Sequence, residues 1–211
     1  MVRTGALALM AGTVAVAGLA AMALWPAIRS MGAADDPFAP CRTGQVAGGA
    51  VGGPFELVDA RGTTVTDAEV FRTPTILYFG FVSCPDVCPL DLARNAQAVD
   101  LLEAGGVLAT PVFVTVDPAR DTPEVVGAYA AAMHPRMIGL TGTPEQVDAA
   151  AKAWRVYYAR RGEDPVTYTM DHSSFSYLVL PGVGFVDFVD REAAPEEVAE
   201  RMACLVEAAE V

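Results

Sequence analysis

The spacing of apolar positions changes several times along the chain, and each change marks an element. Residues 4–28 carry no charge and are almost all apolar or small, a run longer than the roughly 20 residues that take a helix across a bilayer core of about 30 Å. Trp25 stands near its end, where an interfacial aromatic belongs. The apolar stretch of a cleaved secretory signal is usually about 7–15 residues, so residues 1–29 are expected to be an uncleaved transmembrane anchor. Gly, Ala, Asp and Pro then mix without a period, and residues 30–53 read as a tether. A folded domain is expected over residues 54–211.

Within that domain, residues 55–65 alternate apolar and polar about Arg61-Gly62, the pattern of a short hairpin. Residues 75–81 are continuously apolar at strand length, which suits a strand buried on both faces. A helix is predicted over residues 90–102, with Leu90, Ala93 and Leu101 on its buried side. Gln97 falls on that side and Val99 opposite, so the helix rests as much on its Pro89 start and Gly105-Gly106 stop. Residues 111–116 give the next buried strand. Thr122-Pro123-Glu124 and Thr143-Pro144-Glu145 each read as an N-cap threonine with proline at the first helical position, and a short strand at 137–140 separates those helices. Strands at 176–180 and 185–189 flank Pro181-Gly182-Val183-Gly184 as a hairpin, and Pro195-Glu196 opens a last helix to about Ala208. Strand, helix, strand, helix, then hairpin and helix is the order of an α/β, thioredoxin-like domain with insertions, preceded here by one N-terminal transmembrane helix.

Charge narrows the partners. Lys and Arg number 14 against 26 Asp and Glu, and a net charge of −12 is the wrong sign for a phosphate backbone, so no nucleic acid is expected. The N-terminal segment lacks the repeated arginines of a mitochondrial transit peptide, which points to a bacterial membrane protein. Arg3 before the anchor, and Arg29 followed by Asp35 and Asp36 after it, favour a cytoplasmic amino terminus only weakly.

Four cysteines occur, at Cys41, Cys84, Cys88 and Cys204. Cys84-Pro-Asp-Val-Cys88-Pro89 lies directly between the first buried strand and its helix, so Cys88 is expected at the helix N-terminus, where the macrodipole and free N–H groups favour a thiolate. Sulfurs four residues apart on a bent turn can converge, and this spacing is wider than that of common dithiol oxidoreductases, which favours metal over disulfide. His172 is the candidate third ligand, just ahead of the 176–180 strand in a loop that a thioredoxin-like sheet would turn toward the first helix. Two thiolates and an imidazole suit Cu(I), and with an added oxygen Cu(II). Zinc is the rival, although a structural zinc takes four protein ligands. Asp171 reads equally as an acceptor orienting the imidazole and as an exposed turn residue. His134, before Pro135, reads as a surface residue, and Met133 and Met137 as core filling. Cys41 and Cys204 are either two inert thiols or, in an oxidising compartment, a bridge between tether and last helix.

Four segments, Phe81-Val-Ser-Cys84-Pro-Asp-Val-Cys88-Pro89, Val116-Asp117-Pro-Ala-Arg120-Asp121-Thr122, Leu140-Thr-Gly-Thr-Pro144 and Asp171-His172-Ser173, together resemble the Sco/SenC proteins over residues 54–208. The resemblance implies a membrane-tethered copper chaperone that receives copper from a donor protein and helps assemble the dinuclear copper site of cytochrome c oxidase, in its subunit II. It places the metal pair on Cys84 and Cys88 and the histidine ligand on His172. It also implies a bacterial inner-membrane, single-pass protein, held by residues 4–28 with its C-terminal domain in the periplasm. The charged residues Asp117, Arg120 and Asp121 match a family segment but read, by themselves, as a strand end and a helix cap, outside the ligand set. The alternative function is a thiol-disulfide oxidoreductase that uses Cys84 and Cys88 as a redox-active pair to keep the oxidase cysteines reduced. A thiol peroxidase is disfavoured, because no Thr or Arg stands between Ser83 and Leu90.

Overall fold

The computed structural model describes residues 36–42 and 51–210. The expected anchor and most of the expected tether lie outside the described residues, and among those described no helix is long and apolar enough to cross a membrane. The fold is built on strand β3 (Thr75–Gly80), in which every residue is buried. β3 pairs in parallel with β4 (Thr110–Thr115) and antiparallel with β8 (Ser176–Leu180), and this mid-sheet position is why its sequence is apolar on both faces. The full sheet has seven strands in the order β2-β1-β5-β4-β3-β8-β9, with β1 (Glu56–Asp59), β2 (Thr64–Thr66), β5 (Ile138–Thr141) and β9 (Gly184–Val189). The β1–β2 turn is held by the Asp59 carboxylate, which accepts from the amides of Arg61 and Thr63, while Gly62 takes a positive φ of 76° that a side chain would disfavour.

The helices are α1 (Asp67–Val70), α2 (Val87–Ala104), α3 (Pro123–Met133), α4 (Pro144–Ala153) and α5 (Pro195–Ala209). The Thr-Pro-Glu reading holds at both places. Thr122 Oγ1 accepts from the Val125 amide, and Thr143 forms a reciprocal capping box with Gln146.

Helix α2 departs from expectation in its facing. Leu90 and Leu101 are 61% and 42% exposed, whereas Leu92, Ala96, Val99 and Leu102 are buried, so the predicted stripe is replaced by one that includes Val99. The reason is that α2 is covered by the sheet on one side and α5 on another, giving a wide buried face that includes Asp91, Arg94 and Asn95. Those polar groups are satisfied internally: Tyr78 donates to Asp91, and Arg94 and Asn95 both donate to Ser176 Oγ, at 2.7 and 2.9 Å. Polar residues inside and leucines outside cancel the periodic signal.

A second two-stranded sheet, β6 (Tyr158–Arg161) with β7 (Thr169–His172), is absent from the sequence reading. Its segments, Tyr-Ala-Arg-Arg and Thr-Met-Asp-His, have no buried position to impose a period of two. His172, expected in a loop, is therefore the last residue of β7, paired with Tyr158.

Cys41 and Cys204 form a disulfide across a sequence separation of 163 residues, which resolves their two readings in favour of the bridge. Closing a loop of that length restricts the unfolded chain strongly, so Cys204→Ser is expected to lower unfolding free energy by about 2–5 kcal/mol. Urea unfolding of the oxidised parent and the variant measures the difference, and superimposable curves would contradict it.

Candidate metal centre

Three side chains from two distant segments meet at the C-terminal end of β3. After β3 the chain makes a turn in which the Cys84 amide donates to the Phe81 carbonyl at 3.2 Å, and Pro85-Asp86 then leads into α2. Pro89 lies in the first turn, where the amide it lacks would have no intrahelical partner. The free Cys88 amide points back to Cys84 Sγ at 3.4 Å. Cys88 thus stands at the helix N-terminus as expected, but its amide serves the sulfur of Cys84 rather than a thiolate of its own. Cys88 is fully buried, and burial pushes its thiol up from the ordinary range.

His172 Nε2 lies 3.3 Å from Cys88 Sγ, although the residues are 84 positions apart. Its Nδ1 lies 2.8 Å from the Ser173 carbonyl. A carbonyl can only accept, so Nδ1 carries the proton and Nε2 presents its lone pair to the sulfur. Burial also holds the imidazole below its ordinary value, which keeps it neutral and able to ligate. Asp171 takes no part in this: it is exposed and paired with Arg161 Nε at 2.5 Å, and it lies within strand β7 rather than in the expected turn, so the Ser173 carbonyl does the orienting. No side-chain pattern marks a backbone carbonyl, which is why the sequence gives no sign of it.

Cys84 and Cys88 are free thiols, and with His172 they form a group whose ligand atoms all lie within 4.8 Å of one another. An ion with bonds of about 2.0–2.3 Å to such atoms spaces them by roughly 3.3–4.0 Å, so small side-chain adjustments suffice to enclose one. The donor set, two sulfurs and a neutral imidazole, suits a soft cation. Among the described residues no fourth His, Cys, Asp or Glu joins the group, and a structural zinc would require one. The Tyr78 and Phe81 rings stand edge-on to the imidazole at 6.1 and 5.8 Å and wall the site. Sequence reasoning placed Tyr78 only as a strand residue, and Phe81 as a strand residue that opens the cysteine segment. Gly80 keeps room for Cys88, since a Cβ there would sit 2.9 Å from its Sγ.

The remaining sequence candidate lies elsewhere. His134 is 7% exposed, with Nε2 3.2 Å from Asp100 and Nδ1 accepting from the Arg136 amide, which corrects its reading as a surface residue. It ties the end of α3 to α2, a tertiary contact that the local Met-His-Pro sequence does not announce.

A sequence model of SCO1/SenC matches residues 44–207. The chain belongs to the Sco/SenC family. It is 50% identical over 208 residues to Protein SenC of Rhodobacter capsulatus, an alignment covering 98% of this chain and 91% of that protein. Among solved Sco structures, Arabidopsis thaliana ScoI with copper bound is 40% identical with a TM-score of 0.71, covering 75% of this chain and 99% of that one. Bradyrhizobium japonicum ScoI with copper bound is 34% identical with a TM-score of 0.66, covering 73% and 98%.

Two outcomes follow for this Sco/SenC site. At neutral pH Cys88 holds its proton and His172 lacks one, so metal capture by Cys88 as thiolate releases a proton that His172 does not take up. Affinity is therefore expected to fall about tenfold per pH unit on acidification from about pH 8 to 7 for each proton displaced. Competition titrations across that range measure the slope, and a flat profile refutes it. Gly80→Ala is expected to displace Cys88, lowering stability by about 1–3 kcal/mol and weakening metal binding. Retention of parental affinity in a folded Gly80→Ala protein would contradict the packing argument.

Proposed function

We propose that this chain is a copper chaperone that holds one copper ion through Cys84, Cys88 and His172 and passes it to the dinuclear copper site of cytochrome c oxidase subunit II. The observation that carries the reading is the convergence of two sulfurs and an oriented, neutral imidazole nitrogen from segments far apart in the chain. The Sco/SenC resemblance implies the oxidase as client, and the copper-bound relatives support copper as the ion. Three protein ligands leave a position open to an incoming thiolate, so the ion can move by ligand exchange without being set free. Cys84, partly exposed beside the fully buried Cys88, is the ligand an acceptor reaches first.

Residues 4–28 would hold the domain to the bacterial inner membrane as a single-pass anchor, with the C-terminal domain in the periplasm, where a donor protein supplies copper. The Cys41–Cys204 bridge supports that placement, because disulfides persist in oxidising compartments.

A second reading has its own observation. A partly exposed Cys84 backed by a buried Cys88 is also the arrangement of an attacking and a resolving thiol. Cys84 thiolate would attack a disulfide of the oxidase subunit, releasing one of its sulfurs as thiolate. Cys88, losing its proton, would then attack the mixed disulfide, releasing the other and leaving Cys84 and Cys88 oxidised as a disulfide. That exchange needs no imidazole.

His172 therefore separates the readings. The full chain is expected to bind about one copper, and His172→Ala to lose it to a competing chelator that leaves the parent loaded, while still reducing a disulfide substrate if the second reading operates. Unchanged copper content and affinity in His172→Ala would overturn the three-ligand chaperone. Copper transfer to a subunit II copper domain, absent when Cys84 and Cys88 are both Ser, completes the test.

A further inference from the structure

His172 sits on a hairpin that makes no strand pairing with the main sheet, so something other than the sheet ladder must fix its distance from the sulfurs. The fastening comes from residues 116–122, between β4 and α3. At one end of this loop the buried Asp121 carboxylate accepts from the Val82 amide at 3.0 Å and from Thr115 Oγ1 at 2.5 Å, gripping the turn that leads to Cys84. At the other end the buried Asp117 carboxylate accepts from Tyr168 Oη and from Arg120 Nε, each at 2.5 Å. Tyr168 directly precedes β7. Arg120 also donates to the Tyr168 carbonyl at 2.9 Å, and its guanidinium lies 3.6 Å from the Tyr168 ring centroid, with that of Arg160 at 4.0 Å. The hairpin is also held by Tyr158 to Asp148 at 3.3 Å, by Met170 against the core, by the Tyr78 and Phe81 rings against His172 and by the short link into β8.

One short loop therefore holds both halves of the site without supplying a ligand. We propose that it is a brace that sets where His172 meets Cys84 and Cys88, with Asp117, Arg120 and Tyr168 as positioning residues; this rests on the three-ligand reading above. The brace works through buried, charge-assisted hydrogen bonds, which are short, directional and slow to rearrange. The effect of Asp117, Arg120 and Tyr168 on the metal passes through the position of His172, whereas Asp121 acts on the cysteine turn.

That last property makes it testable by a double-mutant cycle on the full chain. Cu(I) dissociation constants are measured by chelator competition for the parent, Tyr168→Phe, Asp117→Asn, His172→Ala, and each of the first two combined with His172→Ala. Tyr168→Phe and Asp117→Asn are each expected to weaken binding about 10-fold, in the range typical of residues that orient a metal ligand. Neither should weaken it further once His172 is Ala. Nitrogen hyperfine coupling in the Cu(II) form is expected to diminish in both single variants. Parental affinity in both, or the same fold-loss with and without His172, would overturn the brace. Should Asp117→Asn fail to fold, Tyr168→Phe, which keeps the ring between its guanidinium neighbours, carries the test alone. Failure of the three-ligand reading looks different: His172→Ala then binds as tightly as the parent, and the brace falls with it.

Discussion

The contact between Cys88 Sγ and His172 Nε2 is the constraint on which the rest depends. It joins a helix start to a strand end across 84 residues, and neither segment has an energetic reason to approach the other unless the sheet between them is complete. β3 supplies that sheet's centre. Its six residues are buried without exception, which places the cysteine turn at a defined end of a rigid strand. β8, antiparallel beside it, begins four residues beyond His172 and so returns the imidazole to the same end.

Burial then decides the protonation of the site. Cys88, fully buried beside Tyr78, is poor at carrying a charge alone, and His172 is poor at carrying a proton. A cation reverses both handicaps at once, since it stabilises the thiolate and needs the free nitrogen. The site is thus arranged for a guest of positive charge.

How much of this was legible in the sequence follows from how local each signal is. Thr122 and Thr143 announce their helices because a cap and its partners lie within four residues. The Cys84/Cys88 pair is legible because a strand, a turn and a helix start coincide there. Helix α2 misleads because its facing is set by α5 and by the Arg94–Asn95–Ser176 network, none of which is near in sequence. The β6–β7 hairpin is silent because it buries too little to impose a pattern, and the Ser173 carbonyl is silent because it belongs to the backbone. The residues of the 116–122 loop were visible as charges, but their targets, Val82 and Tyr168, could not be read from their spacing.

The bridge between Cys41 and Cys204 also has a mechanical side. It closes nearly the whole folded unit into a covalent ring whose clasp is on α5. Tension applied to the chain upstream of Cys41 therefore enters the fold through that helix. The strands, and the metal-binding end of β3, are shielded from the load for as long as the clasp is oxidised.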